Sequence, residues 1–255
     1  MQQQPLRRAR SYEQDDAAGT QIGGIAERIS AAISVGMISV GERLPSEAEL
    51  ANQFGIAVAT LRKALAKLRE LGIVETRRGR NGGTFVVQAP FPSADALKAS
   101  LRGTSLVALR DFFDEHAAIS GMAARLAAER ISPQQQTRLA EFAFQAREAR
   151  GARETATADN RFHFEIAVLS HSQRLLTGEQ RLQSELTPFL WQSEICRASA
   201  QLVFTEHLAI VMAIEQRNAE EAQSRAIAHV MNNRRLVIEG KLALDRASAD
   251  AEGTP

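Results

Sequence analysis

The 255-residue chain contains one cysteine, few aromatic side chains and no long apolar run. The single cysteine, Cys196, excludes an intrachain disulfide and does not indicate an oxidising compartment. No stretch approaches the roughly 20 apolar residues that a transmembrane helix requires. Residues 1–19 are polar and lack the apolar segment of a secretory signal. These absences predict a cytoplasmic protein with no membrane partner.

An excess of charge of one sign is also absent, because 31 Lys and Arg residues are balanced by 30 Asp and Glu residues. The net charge of +1 excludes a general electrostatic affinity for nucleic acid, so any DNA contact must come from a local basic patch. Hydrophobic residues make up 44% of the chain, which is enough to bury a core. The abundance of Ala, Leu, Glu, Gln and Arg favours helices over a β-sandwich. The length suits two modest domains better than one.

Residues 20–88 have the pattern of three helices followed by a β-hairpin. Isoleucines spaced three and four residues apart predict the first helix over residues 21–36. Ser46 and Glu49 have the spacing of a capping box, which predicts that the second helix starts between them. Gly55 then breaks this helix before a third one begins. Two short helices separated by a tight turn with glycine indicate a helix-turn-helix.

The third helix, at about residues 57–71, is followed by two short apolar strands around a basic, glycine-rich turn. This pattern predicts a β-hairpin wing. Side chains suited to contact DNA occur at the start of the second helix, on the third helix and on the wing. They are Ser46, Thr60, Arg62, Lys63, Arg77, Arg78 and Arg80. Arg62 is the leading candidate for a base or phosphate contact, and the wing arginines can clamp phosphates or enter a minor groove.

The rest of the chain is predicted to be almost entirely helical. Residues 89–104 contain two prolines and several small polar residues, which predict a linker. Six helices follow within residues 105–243, at about 105–130, 133–149, 153–171, 174–196, 200–217 and 219–242. We expect residues 1–19 to form a disordered tail and residues 244–255 a loose one. The predicted fold class is mainly α: an N-terminal winged helix-turn-helix (three helices plus a β-hairpin wing) followed by an antiparallel all-α helical bundle.

Three histidines and one aspartate fall on the inward, apolar helix faces of this bundle. Asp159 and His163 are one helical turn apart, and His207 and His229 lie in apolar stripes of two later helices. Burying any of them without a partner would cost on the order of a few kcal/mol, whereas one shared metal ion would satisfy all four. Imidazole and carboxylate ligands suit Zn, Ni, Mn or Fe, and the spacing does not choose among these metals. Each histidine taken singly also fits an ordinary hydrogen-bonded core residue.

The stretch from Gly41 to Phe85 resembles the DNA-binding domain of the GntR family. The matching residues are Gly41, Leu44-Pro45-Ser46-Glu47, Glu49-Leu50-Ala51, Gly55, Leu61-Arg62, Ala64-Leu65, Leu68, Gly72, Arg78-Gly79-Arg80 and Gly82-Gly83-Thr84-Phe85-Val86. The chain departs from the family at Ala48 and at Ala57-Val58, where relatives commonly carry arginines that contact DNA. The family's operator sequence is therefore not implied. Val58 and Ala59 are instead suited to contact thymine methyl groups.

Residues 105–240 resemble the FCD domain of the FadR branch of GntR regulators. The matching residues are Asp159-Asn160-Arg161-Phe162-His163, His207, His229 and the opening helix from Leu109 to Ala128. The resemblance implies an all-α bundle in which an aspartate and three histidines at these places hold a metal ion. His116 and His171 match none of the ligand places, and we expect them to be surface or structural residues.

The same resemblance implies a small carboxylate effector beside the metal, clamped by an arginine. Arg110 stands where relatives often supply that arginine. The alternative is that Arg110 forms a surface ion pair with Asp111 or Asp114. Asn233, one helical turn beyond His229, is a second candidate for lining the effector pocket.

Together these features predict a homodimeric DNA-binding transcriptional regulator, most simply a repressor. A small organic acid bound near the metal would control its binding to double-stranded operator DNA. Dimerisation follows from the resemblance and from the way such domains read two half-sites. The alternatives are a metal-responsive regulator, a purely structural metal site, or a metalloenzyme whose ion activates water. We do not expect an enzyme, because no inward acid or base is placed as a proton shuttle.

Overall fold

The computed structural model of the chain divides between Pro90 and Phe91 into two compact units. The structure describes residues 22–34, 36, 38–80, 82–192, 194–196 and 198–252. The tail predicted for residues 1–19 lies outside the described residues. The division falls just after residue 88, where the sequence predicts the end of the DNA-binding domain.

Over its described residues, from 22 onward, the first unit consists of three helices and a two-stranded antiparallel sheet. The elements are α1 (residues 22–34), α2 (Glu47–Phe54), α3 (Val58–Glu70), β1 (Val74–Arg77) and β2 (Gly83–Val86). Val74 pairs with Val86 and Arg77 with Gly83, so the basic turn projects from the end of the hairpin. The core is formed by fully buried side chains from α1, α3 and β2, among them Ile33, Leu61, Leu65, Leu68 and Val86.

Both ends of α2 form as the local sequence pattern predicts. Ser46 Oγ accepts a hydrogen bond from the Glu49 N–H, and the Glu49 carboxylate accepts one from the Ser46 N–H at 2.8 Å. Gly55 ends α2 with a left-handed φ of 65°, a conformation that glycine adopts without a Cβ penalty. This turn sets α3 at an angle to α2, as the helix-turn-helix shape requires.

In the residues that the structure describes, the second unit contains seven helices. They are α4 (Ala94–Gly103), α5 (Leu106–Arg130), α6 (Pro133–Glu148), α7 (Gly151–Leu169), α8 (Gln173–Trp191), α9 (Ala200–Glu215) and α10 (Ala219–Glu252). The winged helix-turn-helix followed by an all-α bundle confirms the predicted fold class. In the described part of the chain, no helix is both long and apolar enough to cross a membrane.

The predicted linker at residues 89–104 is partly wrong, because α4 lies within it. Ser93 caps this helix by accepting a hydrogen bond from the Ala96 N–H, and Leu97 and Leu101 are buried. The Lys241 ammonium from α10 donates to the last carbonyl groups of α4, including that of Leu101 at 3.2 Å. Both prolines of the segment precede the helix, so they do not interrupt it.

The predicted loose tail at residues 244–255 is also wrong over most of its length, because α10 continues to Glu252. Leu244 is buried, and Lys241 forms an ion pair with Asp245 at 3.2 Å. Gly240 does not end the helix. A Cβ at Gly240 would lie 2.5 Å from the Ile195 carbonyl oxygen, so glycine is needed here for close packing.

Helix α5 packs against α7, α8, α9 and α10 and therefore runs through the centre of the second unit. Two of its contacts depend on the absence of a side chain. A Cβ at Gly121 would lie 2.7 Å from Ile227 of α10, and a Cβ at Gly178 of α8 would lie 2.7 Å from Ile119 of α5. These close approaches bring polar residues of α5, α8 and α10 towards the same interior region.

Candidate metal centre and DNA interface

The four predicted metal ligands meet inside the second unit. Asp159 and His163 come from α7, His207 from α9 and His229 from α10, and all four are buried. One ring nitrogen of each histidine lies within 4.8 Å of those of the other two. Asp159 Oδ1 lies 3.5 Å from His207 Nε2 and 4.0 Å from His163 Nε2. The structure thus brings together the residues that helical periodicity placed on inward faces.

Several buried polar atoms at this place have no hydrogen-bond partner. Within the described residues they are His116 Nδ1, Asp159 Oδ1, His163 Nε2 and both ring nitrogens of His207. An unsatisfied buried group costs about 1–3 kcal/mol, so a concentration of such groups needs an explanation. Ligand atoms about 2.0–2.2 Å from a metal ion lie roughly 3–4 Å from one another. The donor atoms would need only a small contraction to reach that geometry, so the residues fit a metal ion.

The orientation of the His229 ring is fixed by a hydrogen bond from its Nδ1 to Glu206. Its Nδ1 donates to Glu206 Oε2 at 2.6 Å, and Asn232 donates to Glu206 Oε1 at the same distance. Nε2 is therefore the acceptor nitrogen of the ring, and a metal ion bound there would replace its contact with Asn233. Asn233 Nδ2 lies 3.1 Å from this Nε2, which places the predicted pocket residue directly at the centre.

Asp159 and His207 are held by aromatic neighbours. Trp191 Nε1 donates to Asp159 Oδ2 at 3.2 Å, which leaves Oδ1 directed towards the histidines. The His207 ring stacks on Phe162 with ring centroids 4.0 Å apart. Stacking fixes the plane of the imidazole, so its nitrogen positions are defined by packing as well as by any bound ion.

Burial controls the ionisation of the ligands. It raises the pKa of Asp159 to about 6, although His229 and Trp191 act in the opposite direction. Burial, together with neighbouring imidazoles, holds the pKa of His163 and that of His207 well below the ordinary value. The two imidazoles are therefore neutral at pH 7, which is the form that binds metals. A nearby divalent cation would favour the charged form of the Asp159 carboxylate.

We expect Glu206→Gln to lower the affinity for the metal by about 10- to 100-fold, because the carboxylate that orients His229 loses its charge. The side chain keeps its shape, so the fold should be retained. Competition with a chromophoric chelator would measure the affinity. Glu220→Gln makes the same chemical change at an exposed site on α10 and should have no effect. Equal affinities for both variants would exclude the orienting role of Glu206.

A second buried polar cluster adjoins the ligands. Glu179 of α8 accepts hydrogen bonds from Ser120 at 2.7 Å and from Gln183 at 3.0 Å, and its Oε1 lies 3.3 Å from His116 Nε2. Burial alone would raise the pKa of Glu179, but the His116 contact, the neighbouring His163 and the hydrogen bond from Ser120 bring it to about 2. Glu179 and Ser120 line one small cavity together with His163. Glu179 is therefore a buried carboxylate beside the metal ligands.

Sequence reasoning missed Glu179. His116 and His171 were expected to be surface or structural residues. His116 is fully buried beside Glu179, as a structural residue would be, whereas His171 is exposed. A usable signal was present in α8, where Glu179, Gln183 and Thr187 recur every four residues and form a polar stripe on a buried face.

Arg110 does not lie at this centre. It is exposed near the start of α5, whereas its neighbours Leu109 and Phe113 occupy the buried side of the helix. Asp114, one of its alternative partners, lies 3.6 Å from Arg234. In the described part of the chain, the cavity beside His163 is lined by no arginine or lysine. The position of Arg110 therefore does not support the predicted carboxylate clamp.

The residues predicted to contact DNA lie on the first unit as the sequence indicated. Ser46 caps α2, Thr60 is half-buried on α3, and Arg62 and Lys63 are exposed on α3. Arg62 Nε donates to Glu47 Oε2 at 2.6 Å, which joins α3 to the start of α2. The apolar residues Ala57, Val58 and Ala59 are exposed on the preceding turn of the helix.

The three arginines of the wing are exposed. Arg77 Nε donates to Glu75 at 2.6 Å, and its guanidinium carbon lies 4.4 Å from the centre of the Phe85 ring. These contacts hold Arg77 at the last strand pair before the turn. Arg78 and Arg80 follow at the turn, where a DNA backbone can approach them.

We expect the double variant Arg78→Ala/Arg80→Ala to weaken DNA binding and to flatten its salt dependence. Each lost phosphate contact lowers the slope of log K against log salt concentration by about 0.9, so the slope should change by roughly 2. Binding to random-sequence DNA at several salt concentrations would measure it. Arg246→Ala removes an exposed arginine of the second unit and serves as the control. An unchanged slope in the double variant would show that these arginines do not contact phosphates.

These features define a class of protein. A three-helix unit with a basic β-hairpin wing is a DNA-binding winged helix-turn-helix, and it is joined here to an all-α unit with a buried cluster of one aspartate and three histidines. The family profile described as "Bacterial regulatory proteins, gntR family" matches residues 21–86. The profile described as "FCD domain" matches residues 111–232. The chain belongs to the GntR family of bacterial transcriptional regulators and carries an FCD domain, which fits the FadR-like branch.

Comparison with individual proteins supports this membership. The proposed HTH-type transcriptional regulator RmpR of Mycobacterium gastri is 44% identical over 88% of this chain and 83% of its own length. The proposed L-lactate dehydrogenase operon regulatory protein of Escherichia coli is 29% identical over 81% of this chain and 82% of its own length. The solved structure of E. coli McbR/YncC covers 86% of this chain and 97% of that chain, with 17% identity and a TM-score of 0.52, which shows a shared fold. The expectation of a transcriptional regulator rather than an enzyme is confirmed.

Proposed function

We propose that this regulator binds operator DNA as a homodimer and is controlled by a small organic acid bound at a metal ion in the FCD domain. We further propose that it acts as a repressor. The observation that carries the proposal is the meeting of Asp159, His163, His207 and His229, whose buried donor atoms include several without hydrogen-bond partners. A metal ion would satisfy these atoms together.

The four residues would hold one divalent ion, for which Zn, Ni, Mn and Fe remain the candidates. When bound, the ion would supply open coordination positions for carboxylate oxygens. The chain itself would orient the site: Glu206 fixes the tautomer of His229, and Trp191 directs Asp159. Asn233, whose Nδ2 lies 3.1 Å from His229 Nε2, would give up this contact to the ion and would line the effector pocket.

The relatives are compatible with a small acid. One of them is named for the operon of L-lactate dehydrogenase, and lactate is a small carboxylate. The name does not identify the effector of this protein, but it supports the chemical class. In the proposed mechanism, the acid changes the relative positions of the two winged domains in the dimer, and each domain reads one half-site. Coupling between two such sites typically amounts to about 1–3 kcal/mol.

A metal-responsive regulator is the second candidate. It is favoured by the burial of all four ligands and by the small size of the cavity that adjoins them. In that case the ion itself would be the signal, and DNA binding would change on metal loading without an added acid.

The test begins with elemental analysis of the untagged protein and of the variant His163→Ala. We expect about one ion per chain in the wild type and none in the variant. DNA fragments selected from a random pool would then be titrated with metal-loaded protein, with and without L-lactate or acetate. If either acid releases DNA while the metal concentration is constant, the proposal is supported. If DNA binding changes with the metal concentration and does not respond to either acid, the second candidate is supported. Absence of metal from the wild type would overturn both.

A further inference from the structure

Glu179 is a buried carboxylate that its hydrogen bonds fix in place beside the candidate metal centre. Its Oε1 accepts a hydrogen bond from Gln183 at 3.0 Å and lies 3.3 Å from His116 Nε2, and its Oε2 accepts one from Ser120 at 2.7 Å. The two oxygens of a carboxylate offer about four acceptor sites. Within the described residues, both sites of Oε1 are used and one site of Oε2 remains. Glu179 can therefore accept one more hydrogen bond at Oε2.

The cavity beside Glu179 has room for a single water molecule. It is lined by Glu179, Ser120, His163 and four apolar residues, and its volume is about 10 Å³. The smallest cavity that holds one water molecule has a volume of roughly 10–15 Å³. An organic acid is too large for this space. The occupant that fits the cavity is therefore one oxygen-sized group between Glu179 and the metal ligand His163.

The hydrogen-bonding groups of the cavity select a donor. Glu179 only accepts, and Ser120 has already donated its proton to Glu179, so the Ser120 oxygen can only accept as well. His163 Nε2 is buried without a hydrogen-bond partner in the described part of the chain, and it is a candidate ligand of the ion. With His163 bound to an ion, the polar wall of the cavity would accept hydrogen bonds and donate none. A water molecule satisfies such a wall, whereas an anion, which needs donors, does not.

The charge around the cavity also disfavours an anion. Glu179 interacts electrostatically with both Asp159 and His163, so its charge acts on the ligand set. The carboxylates of Asp159 and Glu179 are both buried and would together balance the two charges of a divalent ion. An anion in the cavity would place a further negative charge beside Glu179, whereas a water molecule would add none. Among the described lining residues there is no arginine or lysine to offset that charge.

We propose that Glu179 is a specificity-determining residue of the metal centre, which reserves the cavity beside His163 for one water molecule and excludes small anions from it. The water donates a hydrogen bond to Glu179 Oε2 and keeps its oxygen lone pairs for the ion. The proposal rests on the proposed function for the presence of the ion. The acid effector then approaches the ion from another side, such as that of Asn233, whose Nδ2 lies 3.1 Å from His229 Nε2.

The first test is a crystal structure of the full-length wild-type protein loaded with Co²⁺. We expect one ordered solvent molecule in the cavity, within hydrogen-bond distance of Glu179 Oε2. An empty cavity, or direct binding of the Glu179 carboxylate to the ion, would overturn the proposal. This test needs no variant, so it decides the matter even if a substitution at Glu179 prevents folding.

The second test measures anion binding to the Co²⁺-loaded protein by visible absorption, which responds to a change of ligands. Fluoride is about the size of a water molecule but cannot donate a hydrogen bond, whereas azide is too long for the cavity. Glu179→Gln keeps the shape of the side chain and removes its charge. We expect this variant to bind fluoride about tenfold or more tightly than the wild type, because the repulsion between two like charges in the protein interior is lost. The gain for azide should be clearly smaller.

The controls separate a failure of this inference from a failure of the proposed function. Glu165 is another buried carboxylate, on α7, but it faces Arg138 at 3.4 Å and does not line the cavity. Glu165→Gln should therefore leave fluoride binding unchanged. An unchanged fluoride affinity in Glu179→Gln, or an equal gain for fluoride and azide, overturns the assignment of the cavity to a single water. Failure of the wild type to bind Co²⁺ overturns the proposed function itself.

Discussion

Replacement of His207 by alanine is expected to abolish metal binding and to lower the thermal stability of the FCD domain. His207 is fully buried, and its Nε2 lies 3.5 Å from Asp159 Oδ1, so its removal opens the centre of the ligand set. A ligand that binds only the folded state stabilises it by about 4 kcal/mol at a thousandfold excess over its dissociation constant. Elemental analysis would give the metal content, and unfolding with and without chelator would give the metal-dependent part of the stability.

The control must separate the lost ligand from the lost packing. The His207 ring stacks on Phe162, so alanine also leaves a cavity in the core. Phe162→Leu perturbs the same contact without removing a ligand and should lower stability while the ion is retained. In His207→Ala, chelator should cause no further loss of stability. If this variant still contains about one ion per chain, the ligand assignment is wrong.

The meeting of the four candidate ligands could be predicted from sequence because it follows from helical periodicity. Asp159 and His163 are separated by one turn, and His207 and His229 each lie within an apolar stripe, so all four had to face the interior of a bundle. The second polar cluster was harder to predict. Whether His116 of α5 meets Glu179 of α8 depends on the register of two helices, which local patterns do not specify.

Arg110 illustrates the same limit. Its place in the sequence matches a family position, but the side chain points away from the core because Leu109 and Phe113 take the buried side of α5. The DNA-binding unit was predicted more completely, because the capping box at Ser46 and the glycine at position 55 encode its turns locally. Helix α4 and the end of α10 were missed because tertiary contacts to Lys241 stabilise them, and sequence propensity alone gives no sign of those contacts.

Arg62 is expected to contribute more to operator recognition than any other side chain of α3. The chain carries alanine at position 48 and valine at position 58, where relatives commonly have arginines, so fewer charged groups share the recognition. Glu47 holds the Arg62 guanidinium at Nε with a 2.6 Å contact, and bidentate contact with guanine uses the terminal nitrogens. Arg62→Ala should weaken operator binding by about 1–3 kcal/mol, or roughly 5- to 150-fold, and relax the preference at one base pair.

Lys67→Ala provides the matched control, because it removes another exposed cation of the same helix. Both variants would be titrated against a selected operator and against the same fragment with single base-pair changes. A phosphate contact weakens binding to all sequences alike, whereas a base contact weakens binding to the operator more than to its altered versions. If Arg62→Ala lowers affinity for every fragment by the same factor, Arg62 contacts the backbone, and specificity must come from the exposed apolar turn at Val58 or from DNA shape. In that case, Glu47→Gln should have no effect on sequence preference. If Arg62 instead reads a base, Glu47→Gln should reduce the sequence preference, because Glu47 no longer orients the guanidinium.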